Sequence, residues 1–157
     1  MSLAKLKREL KKMPKEEIIN LISDLYSKVP SAKDFFNVFV TADVSGLIEK
    51  HKKEIERLVY PRGNNFNTKE VEARKLIRNL RKMKIDELSI ALELHYVHCC
   101  LDVIEGFGYW NERYYVAAEN MFYDAENKIL ANGWEDKYDE QLNSLTNRAN
   151  EVGMLEY

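Results

Sequence analysis

The sequence predicts an all-α fold, an irregular bundle or stacked antiparallel hairpins of about seven to eight helices. Glycine and proline, the residues that punctuate turn-rich β proteins, number only six and three in 157 residues. Apolar residues recur at helical spacing along almost the whole chain, and no strand-like alternation persists over a useful length. Hydrophobic residues make up 45% and charged residues 32%, the balance of a chain that can bury a core, so a single all-helical domain over residues 1–157 is expected.

The first helix is expected from Ser2 to Lys12, with Leu3, Leu6 and Leu10 on one stripe and lysines elsewhere. Pro14 ends it and suits the first turn of a second helix. There Glu16 and Glu17 complement the positive end of the dipole, and Ile18, Ile22, Leu25 and Tyr26 form the apolar face. That helix stops before Pro30. Ser31 with Asp34 reads as a capping box for a short apolar helix containing Phe35, Phe36, Phe39 and Val40. Asp43 is the expected cap of a fourth helix, striped by Val44, Leu47, Ile48, His51, Ile55 and Leu58.

Tyr60-Pro61-Arg62-Gly63-Asn64-Asn65 is the clearest loop, because proline fixes one backbone angle while glycine and asparagine tolerate left-handed ones. Asn67 and Glu70 then open a fifth helix, Thr68 to about Met83, apolar at Val71, Ala73, Ile77 and Leu80 and basic on its other side. Asp86 and Glu87 begin a sixth, continuing to about Glu105. It is apolar around most of its circumference, which places it in the middle of a bundle. Gly106 and Gly108 bracket a turn, Asn111 caps the seventh helix and Gly133 closes it; the eighth runs from about Glu135 to Glu151 and ends at Gly153. Short links between successive helices imply antiparallel neighbours.

No apolar run approaches the roughly 18 residues that cross a bilayer, and Met1 to Lys15 lacks the apolar centre of a signal peptide, so a cytoplasmic protein with no membrane partner is expected. Cys99 and Cys100 are neighbours on one helix and point about 100° apart, which disfavours a bond between them and makes both structural thiols. Net charge is −2, but residues 1–101 carry 20 Lys+Arg against 14 Asp+Glu while residues 102–157 carry 4 against 12. Such asymmetry fits two mutually attracting halves of one domain, or a basic surface built for an anionic partner.

Three stretches resemble a known family. The opening from Leu6 through Met13-Pro14-Lys15-Glu16-Glu17 to Tyr26, the loop Tyr60-Pro61-Arg62-Gly63 followed by Ala73-Arg74-Lys75-Leu76-Ile77, and the ending Ala149-Asn150-Glu151-Val152-Gly153 are similar to a family of small all-helical bacterial proteins catalogued as a domain of unknown function. The resemblance implies a compact helical bacterial protein and assigns no cofactor and no catalytic residue.

Three constellations could carry chemistry. His95, His98, Asp102 and Glu105 share a sector of about 80° on the sixth helix, beside Cys99. Imidazole, thiolate and carboxylate at this spacing suit a transition metal, so His95, His98, Cys99 and Asp102 are metal candidates, against the simpler reading of one polar face on a central helix. Arg74, Arg78 and Arg81 share a sector of about 60° on the fifth helix, flanked by Lys75 and with Arg62 in the loop before it, a candidate grip for phosphate or carboxylate. No aromatic residue is interleaved with these arginines as a base-stacking platform. The third is the aromatic group Tyr109, Trp110, Tyr114, Tyr115, Phe122, Tyr123, Trp134 and Tyr138, read mainly as core.

The chain has no Gly-x-Ser-x-Gly elbow, P-loop or dinucleotide fingerprint. The sequence therefore favours a non-enzymatic protein-interaction module, without cofactor, that meets a protein partner or a second copy of itself. The alternatives are a binder of nucleic acid or phosphate through Arg62, Arg74, Lys75, Arg78 and Arg81, and a metal-dependent helical enzyme. An interaction module requires a large exposed apolar or aromatic patch.

Overall fold

A computed structural model describes residues 1–63, 68–108 and 111–154. The expected classes of element are present: eight α-helices and, among the described residues, no strand. The chain forms two compact units, Met1–Asp43 and Val44–Tyr157.

The first unit holds α1 (Leu3–Leu10), α2 (Lys15–Lys28) and α3 (Pro30–Thr41). Ser2 caps α1 by accepting a hydrogen bond from the Lys5 amide, 3.3 Å, so the helix is shorter than the expected Ser2 to Lys12. Val29 alone links α2 to α3. It is extended (φ −121°, ψ 104°), the conformation that a following proline imposes, and Pro30 takes the first helical position. This corrects the expected cap at Ser31: proline needs no capped amide, so the cap is Val29 and the helix begins two residues earlier. Tyr26 joins the two helices by donating to Asn37 Oδ1, 2.9 Å. No residue of this unit is buried.

The second unit is built around one helix. It contains α4 (Ser45–Val59), α5 (Glu70–Leu80) with a single 3₁₀ turn at Arg81–Met83, α6 (Asp86–Phe107), α7 (Glu112–Asn132) and α8 (Glu135–Glu151). Helix α4 opens with Val44, not Asp43, in the capping position. Helix α5 opens at Glu70 behind Lys69, later than expected; the proposed cap Asn67 lies outside the described residues. Lys84, at φ 55°, reverses the chain after the 3₁₀ turn. Helix α6 continues through Gly106 to Phe107, and only Gly108, at φ 78°, takes a glycine conformation, so the expected Gly106–Gly108 turn begins at its second glycine.

Thirteen of the 22 residues of α6 are buried, spread around its circumference from Leu88 to Ile104. It packs against α4, α5, α7 and α8, which also touch as α4–α5 and α7–α8 pairs. Each surrounding helix supplies one stripe: Leu47, Ile55 and Leu58 from α4, Ala73 and Ile77 from α5, Ala118, Phe122, Ala125 and Ile129 from α7, Leu145 and Ala149 from α8. Asn111 caps α7 as expected, its side chain accepting from the Arg113 amide at 2.9 Å. Gly133 (φ 64°) ends that helix, with the Trp134 amide bonded back to Ile129 O. Gly153 does the same for α8, which turns Met154 into the core. Of the aromatic group, Tyr114, Phe122 and Tyr138 are buried and Tyr115, Tyr123 and Trp134 half-buried; Tyr109 and Trp110 lie outside the described residues.

If α6 is the organising helix, Leu94→Ala should cost about 2–5 kcal/mol in urea unfolding. Leu130→Ala, on the exposed side of α7, should cost less than about 0.5 kcal/mol. Similar losses for the two would contradict this assignment of core and surface.

Candidate functional site

The polar stripe on α6 is only partly open to water: His98 and Glu105 are exposed, while His95 and Asp102 are half-buried. Arg148 of α8 lies across it, donating from Nε to Glu105 Oε1 (2.8 Å) and from Nη2 to Asp102 Oδ1 (2.7 Å) and Glu105 Oε2 (2.8 Å). A guanidinium only donates, so the 2.8 Å contact between Nη1 and His98 Nδ1 makes that ring nitrogen an acceptor. Tyr60, at the end of α4, donates its hydroxyl to Asp102 Oδ2. His95 bonds instead to Glu56 of α4, Nε2 to Oε1, at 3.0 Å.

These contacts set the ionisation of the stripe. Burial would raise the Asp102 carboxyl, but the Tyr60 and Arg148 hydrogen bonds and nearby positive charge hold it below the ordinary carboxylate value. Burial, then the bond to Asp102, keeps the Tyr60 phenol protonated far beyond its usual range. Burial lowers His95 against the pull of Glu56, so its ring is neutral near pH 7 and donates from Nε2. Burial pushes the Cys99 thiol up to about 12, and Cys100 likewise. A metal reading needs Cys99 as thiolate and the other three side chains turned to one point. Here His95 is held by Glu56, Asp102 by Tyr60 and Arg148, and His98 by Arg148, so a fixed guanidinium occupies the middle of the stripe. Among the described residues no group of three or more His, Cys, Asp or Glu side chains could hold a metal ion.

The basic set divides in the same way. Arg74 forks onto Glu70 one turn earlier, Nε to Oε2 at 2.8 Å and Nη2 to Oε1 at 3.1 Å, and Glu70 also accepts from Tyr96 of α6. Arg81 donates to Glu93 Oε1 and Asp124 Oδ2, both at 2.7 Å. Arg62 is separated from both, lining a cavity of about 130 Å³ with Arg57 and Lys69. Lys75 is exposed on α5. Arg78 alone of the sequence-predicted arginines on α5 reaches the groove between α5 and α7 with no ion pair among the described residues, and there it is joined by Arg113 of α7. The sequence reading missed Arg113, which lies 35 residues further along the chain.

The strongest unforeseen feature is Glu93. Its side chain is fully buried, 0% exposed, between Arg81 and Lys128, whose Nζ sits 2.7 and 2.9 Å from the two carboxylate oxygens. Burial raises the Glu93 carboxyl above its ordinary value, and the two cations offset that only in part. The only advance sign was a carboxylate inside an apolar run. No protein family, curated protein or solved structure was found to match the chain.

Because its folded-state value is raised, Glu93 takes a proton more readily folded than unfolded, and stability falls as pH rises from the ordinary carboxylate range through that value. Lys128→Met should cost about 2–4 kcal/mol at neutral pH. The penalty should shrink as pH is lowered through the same window, and Glu93→Leu added to Lys128→Met should recover most of it. A loss independent of pH, or losses that add in the double variant, would show that the triad is not coupled.

Proposed function

We propose that this chain is a non-enzymatic interaction module of the bacterial cytoplasm, and that its N-terminal unit docks onto the same unit of a second copy. One observation carries the proposal. Of the sixteen large hydrophobic residues exposed among the described ones, twelve lie in residues 1–40, with Phe39 76% and Val40 78% exposed, and the unit that holds them buries nothing. Full burial of one such side chain is worth about 1.5–3 kcal/mol, so covering several of them favours association.

A unit of this size is near the lower limit for an independent core, and oligomerisation is one of the ways such units become stable. Charge supports a self-complementary partner. Helix α1 and the turn after it carry Lys5, Lys7, Arg8, Lys11 and Lys12 against Glu9, while α2 offers Glu16 and Glu17 in its first turn beside Lys15, its Asp24 being paired with Lys28, and a two-fold contact would use this pairing twice. Catalysis is the weaker reading because His95, His98 and Asp102 are held by other side chains and Cys99 is a protonated, buried thiol.

Sedimentation equilibrium should show a concentration-dependent dimer, and Phe39→Glu with Val40→Glu should convert it to a monomer of unchanged helix content. A protein that stays monomeric across the micromolar range would overturn the proposal.

A further inference from the structure

Helices α5 and α7 both rest on α6, and between them runs a groove formed by two adjoining cavities of about 160 and 450 Å³ that share Arg74, Ala117 and Asn120. Arg78 and Arg113 belong one to each cavity, and neither has an ion pair or side-chain hydrogen bond among the described residues. Arg74 and Arg81 complete the basic wall but are already fixed, by Glu70 and by Glu93 with Asp124. The groove thus presents two free guanidinium groups against a prearranged scaffold. Its floor is Ala117, with Val116, 45% exposed, and the Asn120 amide beside it.

We infer that this groove binds an acidic segment of another protein, with one carboxylate on Arg78 and a second on Arg113. A guanidinium matches a carboxylate with two parallel hydrogen bonds, and the Asn120 amide can both donate to and accept from a peptide backbone. The intervening Val116 and Ala117 suit an apolar side chain between the two acids. A phosphate backbone fits less well, since it carries a charge at every step and would meet Glu112 and Asp124 in the same walls, whereas a peptide can place just two carboxylates, at Arg78 and Arg113. Among the described residues no base-stacking ring lines either cavity. This site is separate from the N-terminal unit and does not rest on the dimer proposal.

The test is fluorescence anisotropy of the full chain with a labelled peptide in which two glutamates flank leucines in an otherwise uncharged sequence, alongside labelled oligodeoxythymidine. Arg78→Glu with Arg113→Glu removes the two free guanidiniums and touches no ion pair of the fold, so its helix content and melting should match the parent. The expected result is peptide binding that weakens with salt and falls by at least about tenfold in the double variant. Glu substitutions at Phe39 and Val40 should leave it unchanged, which separates this site from dimer formation. No peptide binding at low salt, equal binding by the double variant, or oligodeoxythymidine binding tighter than the peptide would each overturn the inference.

Discussion

Helix α6 buries all of its circumference except one stripe, Ala91, His95, His98, Asp102 and Glu105, and a helix in that position constrains whatever is built beside it. Each neighbour needs to bring only one apolar stripe, which is why α4, α5, α7 and α8 can be strongly charged elsewhere and still fold around it. The same burial makes every polar group on α6 expensive unless it finds a partner. Glu93 finds Arg81 and Lys128, His95 finds Glu56, Asp102 finds Tyr60 and Arg148, and Glu105 finds Arg148. These contacts come from different neighbouring helices, so they set which part of each neighbour lies against which turn of α6.

That account explains why the two sets of residues that first suggest chemistry are largely structural. A histidine, cysteine and aspartate stripe attracts attention as a ligand set, yet one guanidinium from α8 satisfies much of it. The arginines of α5 suggest a phosphate grip, yet Arg74 and Arg81 are tied to Glu70, Glu93 and Asp124. The Arg81–Asp124 pair also joins the basic first part of the sequence to its acidic last part within one compact unit. The two surfaces proposed for partners are ones the core does not require: the groove holding Arg78 and Arg113, and the exposed apolar side chains of the N-terminal helices.

Helices with a clear period and an unambiguous stop were legible in the sequence. The all-round apolar pattern of α6, the Asn111 cap, and the glycines at 133 and 153 each act through nearest neighbours in the chain, and each appears where local chemistry requires. Starts were less legible where two signals competed, as at Pro30 against Ser31 and Val44 against Asp43. The partners of α6 were not legible, because Arg148 lies 46 residues from Asp102 and Lys128 35 from Glu93, and nothing in local spacing selects one lysine or arginine over another. Arg113 escaped for the same reason: a single arginine at the start of α7 acquires meaning only when α6 holds that helix beside α5.

Native-state hydrogen exchange measured residue by residue tests most directly whether α6 organises the second unit. The amides from Leu92 to Leu101 should be the slowest in the protein and should exchange only through global unfolding, with their free energies falling together as urea is added, while those of α1 to α3 exchange through smaller openings. Amides of α6 that open locally, as readily as those of the N-terminal helices, would contradict the account.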